Sequence, residues 1–164
     1  MTHVVLGIGS NIDRERNIRL ALEGLKSLGT LEVSPIVESD PVGYESSSRF
    51  FNLVVGVETT YSQEALRLLC KALERQSGRH PEEPRFSPKT LDIDLLLWGD
   101  CITDIDDHPR LPHPDILRYA HVLCPLALLY PTAKHPVTGL SYQALWEEKQ
   151  TSWPSLQQLP PPVY

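Results

Sequence analysis

Long apolar runs, paired cysteines and an excess of positive charge are all missing from this chain of 164 residues. No stretch approaches the ~18 uninterrupted apolar residues of a membrane helix, and the first residues lack the basic and apolar regions of a signal peptide. We therefore expect a cytoplasmic protein that does not enter a membrane.

Other classes of protein are excluded by similar gaps. Cys70, Cys101 and Cys124 are widely spaced and form no C-x-x-C pair, which argues against a zinc site or a redox dithiol. The formal net charge is −6, whereas a general nucleic-acid binder gains its affinity from a basic surface. The run Gly7-Ile8-Gly9 lacks the third glycine and the later acidic residue of a dinucleotide site.

The length fits one domain, and the chain shows no internal repeat and no linker. We expect a single domain over residues 1–150, followed by a flexible, proline-rich tail over residues 151–164.

Apolar periodicity predicts the order strand, helix, strand, strand, helix, strand, with a third helix later in the chain. The strands are His3 to Ile8, Leu31 to Glu38, Phe51 to Thr59 and Leu91 to Leu97; the helices are Asp13 to Leu28, Ser62 to Ser77 and Arg118 to Leu129. A further strand is expected near Ile102 to Ile105. This order predicts an α+β protein with a ferredoxin-like sandwich: an antiparallel sheet, two main helices on one face, and a C-terminal extension.

The strand that contains Asp92 and Asp94 is unusual, because its apolar residues Leu91, Ile93, Leu95 and Leu97 alternate with carboxylates. Residues two apart on a strand point to one face, roughly 6.5 Å apart. Two carboxylates so close to a core need compensating charge, which divalent cations supply in two-metal phosphoryl-transfer sites. The simpler alternative is a solvated pair on a half-exposed strand. We place this strand in the centre of the sheet, with its aspartates on the face that the helices leave uncovered.

Basic residues gather beside this strand in an otherwise acidic chain. Arg67, Lys71, Arg75 and Arg79 are spaced by four and lie along one helical stripe. This mixture of charges suits a small polyanion with metal ions. The polar segment from Ser39 to Arg49 is long enough to be a mobile loop.

One longer run makes a resemblance plain: Arg85-Phe86-Ser87-Pro88-Lys89-Thr90-Leu91-Asp92-Ile93-Asp94-Leu95-Leu96-Leu97. It resembles the signature of the 6-hydroxymethyl-7,8-dihydropterin pyrophosphokinase family. Further motifs follow the order and approximate spacing of that family: Gly9-Ser10-Asn11, Asp40-Pro41-Val42-Gly43, Phe50-Phe51-Asn52, Leu111-Pro112-His113-Pro114 and Val122-Leu123-Cys124-Pro125-Leu126. Together they cover about residues 4–145.

The resemblance implies a ferredoxin-like enzyme that transfers pyrophosphate from ATP to the pterin's hydroxymethyl group and releases AMP. Asp92 and Asp94 would bind two Mg²⁺ ions that bridge the ATP phosphates. Arg79 and Lys89 would act on the phosphates, as catalytic and ATP-binding residues. Glu74 and His113 match positions near ATP.

The resemblance also implies a pterin pocket. Its residues would be Ser39, Val42, Phe50, Asn52, Phe86 and His121. An amide such as that of Asn52 satisfies the fixed donors and acceptors of the ring, and an aromatic face such as that of Phe86 offers stacking.

Four positions depart from the family pattern. Lys89 stands where arginine is common, Pro81 replaces a basic loop residue, Tyr119 occupies a site that is often basic, and His121 one that is often aromatic and apolar. These departures leave open a regulatory relative that binds nucleotide or pterin with weak catalysis, and a ferredoxin-like interaction module. The expected partners are ATP and a pterin, with no nucleic acid and no membrane, and we expect a monomer.

Overall fold

The computed structural model describes residues 1–43 and 48–164. The strands in this part of the chain are β1 (Thr2–Ser10), β2 (Leu31–Val33), β3 (Ile36–Ser39), β4 (Phe50–Thr59), β5 (Asp92–Trp98) and β6 (Gln157–Leu159). The α-helices are α1 (Arg14–Leu25), α2 (Gln63–Gln76), α3 (Asp115–Arg118), α4 (Ala120–Leu129) and α5 (Tyr142–Lys149). Residues 44–47, inside the predicted mobile loop, lie outside the described residues.

The strands form one antiparallel sheet in the order β5-β1-β4-β3-β6, and β2 also pairs with β4. With β2 and β3 taken as one interrupted strand, this is the order of a ferredoxin-like sandwich, so the predicted fold class is confirmed. The placement of β5 in the centre was wrong. β1 and β4 occupy the centre because both carry buried apolar residues on both faces, such as Val4 and Val5.

Helices cover both faces of the sheet. α1 and α2 pack on one face, against Val4, Leu6 and Ile8 of β1. α4 and α5 pack on the other face, against Val5 and Val54. The expectation of an uncovered second face was therefore wrong in part, because the C-terminal helices cover one end of it and leave the aspartates at the other.

A bulge interrupts the alternation in β5. Val5 pairs with Leu97 and Leu6 pairs with Leu95, so Leu96 is an extra residue. Ile93 and Leu95 face α1 and α2 as predicted, but Leu96 and Leu97 both pack in the cluster with α4 and α5. The prediction that Leu97 shares a face with Ile93 was wrong for this reason.

Two predicted elements differ in the structure because of local chemistry. The strand predicted from Leu31 to Glu38 divides at Ser34 and Pro35, where the Ser34 hydroxyl accepts the backbone N–H of Val54 at 2.9 Å. The helix predicted from Arg118 to Leu129 is α4, which begins two residues later, at Ala120, because Tyr119 is extended and separates it from α3.

The C-terminal third differs most from the prediction. The strand expected near Ile102 to Ile105 is absent: both isoleucines are exposed, and the segment is a loop. α5 was not predicted. β6 lies within the segment predicted as a tail and pairs with β3, Val37 opposite Gln158. No helix in the described ranges has the length and apolarity that crossing a membrane requires.

Candidate active site

A cleft of about 750 Å³ opens at the end of the sheet where β1 ends and β4 and β5 begin. It brings together most of the site residues expected from the sequence: Ser39, Val42, Phe50, Asn52, Arg79, Phe86, Lys89, Asp92, Asp94, His113 and His121. Glu74 is the expected residue that does not line the cleft.

The sheet places the two aspartates on the floor of this cleft. Asp92 lies opposite Gly9 and Asp94 opposite Gly7 in the pairing of β5 with β1. Gly9 is also paired with Asn52 of β4, and a Cβ at Gly9 would lie 2.8 Å from the Asn52 Oδ1 atom. Glycines in β1 therefore leave the space above the sheet open between the carboxylates and the Asn52 amide.

Arg79 joins the acidic strand to α2. Its Nη1 atom donates to Asp92 Oδ1 at 2.7 Å, to Glu74 Oε2 at 2.8 Å and to the Leu91 carbonyl at 3.1 Å. The Arg79 guanidinium is therefore fixed beside the acidic pair.

Glu74 lies outside the cleft lining and contacts Arg79 from α2. Its side chain is 5% exposed, and its carboxylate accepts the backbone N–H of Ile93 at 3.0 Å and the Lys71 ammonium at 3.2 Å. Through its contacts with the Arg79 guanidinium and the Ile93 backbone, Glu74 holds Arg79 and the start of β5 in place.

Arg79 pairs with Asp92, whereas Asp94 is surrounded by other carboxylates. Burial raises the pKa of Asp94 well above its ordinary value, and the neighbouring charges of Asp92, Asp115 and Glu74 raise that pKa further. The described ranges hold no group of three or more His, Cys, Asp or Glu side chains arranged for a metal ion. Two carboxylates fit Mg²⁺, which takes its remaining ligands from water and substrate phosphates.

Lys89 lines the cleft and binds the neighbouring loop. The residue is 6% exposed, and its ammonium donates to the Pro84 carbonyl at 2.6 Å and to Ser87 Oγ at 2.9 Å. Glu83 lies 3.7 Å from the same ammonium. Lys89 therefore ties together the segment that carries Phe86.

His113 is oriented by the start of α3. Its Nδ1 atom accepts the backbone N–H of Asp115 at 3.1 Å, which leaves Nε2 to carry the proton of the neutral ring. Burial lowers the pKa of His113, although the carboxylates of Asp115 and Asp92 act in the opposite direction. At neutral pH the ring is thus a neutral donor at the cleft wall.

The opposite wall is polar and aromatic. The Asn52 amide donates to Ser39 Oγ at 2.9 Å. Tyr119 and His121 stack with ring centroids 5.2 Å apart and planes 17° apart. Burial lowers the pKa of His121, so it too is neutral at pH 7.

Among the described residues, six charged residues of the cleft were not expected as site residues from the sequence: Asp40, Glu83, Arg85, Arg110, Asp115 and Arg118. Arg110 and Arg118 flank the Leu-Pro-His-Pro motif, and Arg118 lies 3.7 Å from Asp115 on α3. The spacing of Asp115 and Arg118 by three is a signal that sequence reasoning missed.

The cleft combines a pair of aspartates with Arg79, Arg85, Arg110 and Arg118. This combination of charges on this fold is typical of an enzyme that handles a phosphorylated substrate. The profile of the family described as 7,8-dihydro-6-hydroxymethylpterin-pyrophosphokinase (HPPK) matches residues 5–131. The chain belongs to this family.

Curated relatives agree with the profile. The chain is 36% identical over 127 residues to the 2-amino-4-hydroxy-6-hydroxymethyldihydropteridine pyrophosphokinase of Bacillus subtilis, covering 74% of each chain. It is 36% identical over 139 residues to the enzyme of the same name from Pseudomonas aeruginosa, covering 81% of this chain and 83% of the relative.

The fold is also found in a longer protein. A crystal structure of a Plasmodium falciparum HPPK-DHPS triple mutant with STZ-DHP superimposes with a TM-score of 0.73 at 15% identity. The match covers 92% of this chain but 43% of that chain, so it supports the fold alone.

Proposed function

We propose that the chain transfers pyrophosphate from ATP to the hydroxymethyl group of 6-hydroxymethyl-7,8-dihydropterin, a step in folate biosynthesis. The observation that carries this proposal is the position of Asp92 and Asp94 between a wall rich in cations and a wall that presents Asn52 and Phe50. The hydroxymethyl oxygen of the pterin forms a bond to the β-phosphorus and releases its proton to water. The bond from that phosphorus to the α,β-bridging oxygen breaks, and AMP leaves.

The nucleotide belongs on the side of Arg79, Arg110 and His113. The Arg79 guanidinium already donates to Asp92 from its Nη1 atom and lies at the cleft, so it stabilises charge on the transferred phosphates. The neutral His113 donates a hydrogen bond from its Nε2–H group to a phosphate oxygen. Lys89 contributes charge and holds the segment from Pro84 to Ser87 against the nucleotide.

The acidic pair is the site for Mg²⁺, and we infer two ions. When bound, Mg²⁺ neutralises the phosphate oxygens and aligns them for in-line displacement. Asp92 and Asp94 fix its position because β5 is tied to β1 on one side and to Glu74 and Arg79 on the other.

The pterin belongs against the other wall. Asn52 and Ser39 offer donors and acceptors that already bond to each other, and both therefore have fixed orientations for the ring edge. Phe50, Phe86 and His121 offer flat faces, and the backbone near Val42 completes the rim. His121 makes this pocket more polar than an apolar aromatic residue would.

The test is direct. The purified chain is incubated with ATP, Mg²⁺ and 6-hydroxymethyl-7,8-dihydropterin, and AMP and the pterin diphosphate are measured together. We expect AMP to appear only with the pterin present, in a ratio of one to one with the diphosphate. Tight ATP binding without AMP formation would indicate a regulatory protein. Absence of ATP binding would indicate an interaction module.

We also infer a monomer in the cytoplasm with ATP and the pterin as its small-molecule partners. Sedimentation equilibrium over a tenfold range of concentration is expected to give the mass of one chain, 18.5 kDa. A mass of two chains would contradict the monomer.

A further inference from the structure

Asn11 is a buried polar residue that the proposed function leaves without a role. It follows the last residue of β1 and is 2% exposed. Gly9 lies between Asp92 and Asn52 in the sheet, and Asn11 comes two residues later. It is thus placed between the segment before β4 and the segment before β5.

On one side, Asn11 binds the segment that leads to the acidic pair. Its backbone N–H donates to the Lys89 carbonyl at 3.0 Å, and its Oδ1 atom accepts the Lys89 backbone N–H at 2.7 Å. The preceding Ser10 hydroxyl donates to the Thr90 carbonyl at 2.5 Å. Two residues separate Lys89 from Asp92, so these bonds fix the entry to β5.

On the other side, Asn11 binds the segment that leads to the pterin wall. Its Nδ2 atom donates to the Ser48 carbonyl at 3.3 Å, and its carbonyl accepts the Ser48 hydroxyl. One residue separates Ser48 from Phe50, where β4 begins.

An asparagine is suited to this position because its amide both accepts and donates. The acceptor is used toward Lys89 and the donor toward Ser48. Aspartate would keep the acceptor and lose the donor, and alanine would lose both. A buried group that loses its partner is costly, so each change weakens a defined side of the junction.

We propose that Asn11 is a positioning residue that holds the pterin-side segment and the phosphate-side segment in a fixed relation, so that the two substrates meet in line. It touches neither substrate. This inference rests on the proposed function for its kinetic readout.

The test compares Asn11→Asp, Asn11→Ala and Ser48→Ala in the full chain, by steady-state kinetics with each substrate varied. Asn11→Asp and Ser48→Ala weaken the Ser48 side, so we expect the KM for the pterin to rise about tenfold with the KM for ATP within twofold. Asn11→Ala weakens both sides and is expected to raise both KM values and to lower kcat about tenfold.

Thr59→Val is the matched control. Thr59 is equally buried and accepts the Tyr61 backbone N–H at 3.1 Å, but it lies at the opposite end of the same strand pair. We expect this variant to lose thermal stability with kcat and both KM values within twofold. Equal kinetic losses in Thr59→Val and Asn11→Ala would overturn the inference, because the effect would then be general destabilisation.

Amide hydrogen exchange tests the role of Asn11 without requiring that the chain be active. Asn11→Asp is expected to speed amide exchange at residues 48–50, and Asn11→Ala at residues 48–50 and 89–91, with residues 59–61 unchanged. If the wild-type chain makes no AMP, the proposed function fails and this exchange pattern alone decides. Unchanged exchange at residues 48–50 in Asn11→Asp, or an unchanged pterin KM in an active chain, contradicts the role of Asn11. If Asn11→Ala does not fold, Asn11→Asp and Ser48→Ala decide.

Discussion

Asp94 in its charged form lowers the stability of the folded chain, because burial and the neighbouring carboxylates disfavour its charge. Its half-buried carboxylate lies beside Asp92 and forms no ion pair within residues 1–43 and 48–164, while Arg79 is directed at Asp92. Such a residue is tolerable in a folded protein when a ligand supplies the missing charge.

We predict that Asp94→Asn lowers pterin-dependent AMP formation by at least about a hundredfold, because the amide cannot bind Mg²⁺ as a carboxylate does. Turnover at saturating ATP and Mg²⁺ is the measurement, with circular dichroism to confirm the fold. Asp100→Asn is the matched control, since that aspartate lies in the turn after β5 and does not line the cleft. A turnover of Asp94→Asn near that of the control would rule out the assigned role.

Glu74→Gln tests whether the residue acts through Arg79. Glutamine keeps the shape and an acceptor for the Ile93 N–H but removes the charge opposite Arg79. We predict that kcat falls about tenfold while the KM for ATP changes less than threefold, because loss of one charge-assisted bond costs about 1.5 kcal/mol. A large rise in the KM for ATP with unchanged kcat would instead indicate direct contact with the nucleotide.

At the scale of elements, β6 supports the edge of the sheet that leads into the site. It pairs with β3, which ends at Ser39 in the cleft. The side chain of Leu159 packs against the core shared with α1 and α2. The C-terminal segment is therefore connected to the pterin wall through one strand.

Removing residues 155–164 is predicted to lower the free energy of unfolding by about 1–3 kcal/mol, from lost pairing and lost apolar burial. The KM for the pterin is predicted to rise, because β3 loses its outer neighbour. Removing residues 160–164 alone keeps β6 and is the matched control. Urea unfolding and kinetics of both truncations are the measurements, and equal behaviour of the two would show that β6 is dispensable.

The sequence predicted the elements with long, regular apolar patterns, and it missed those that depend on contacts distant in the chain. Alternation in β5 identified Asp92 and Asp94 as neighbours on one face, and the spacing of Ala65, Leu66, Leu69 and Leu73 marked α2. The bulge at Leu96 cannot be read from alternation, because it is set by the register with Val5 and Leu6. The support of Arg79 by Glu74 was likewise hidden, since neither spacing nor composition indicates which carboxylate a guanidinium will meet.

For the whole molecule, the acidic pair predicts a dependence of stability on pH. Without Mg²⁺, the raised pKa of Asp94 means that the folded chain keeps this proton to a higher pH than the unfolded chain does. Protonated Asp94 therefore stabilises the folded chain fully below the ordinary aspartate pKa of about 3.9, and this stabilisation is lost as pH rises through the raised pKa.

We predict that Asp94→Asn is more stable than wild type in EDTA at pH 7, and that the difference shrinks toward pH 4. Urea unfolding of both proteins across this range is the measurement. His113 and His121 have lowered pKa values, which destabilise the folded state at acid pH. Both proteins contain these histidines, so their effect cancels when the two free energies of unfolding are compared at each pH. Saturating Mg²⁺ with ATP is expected to reverse the order of stability, and a wild type that is the more stable protein in EDTA at pH 7 would contradict the prediction.

The extra residue at Leu96 divides β5 into two parts with separate tasks. Ahead of it, Asp92 and Asp94 face the cleft while Ile93 and Leu95 anchor the strand against α1 and α2. Beyond it, Leu97 joins the layer of α4 and α5. Substitutions that adjust the packing of α5 in the cluster with Leu97 therefore leave the register of the two acids unchanged. Substitutions at the start of α4 act differently, because His121 itself lines the cleft.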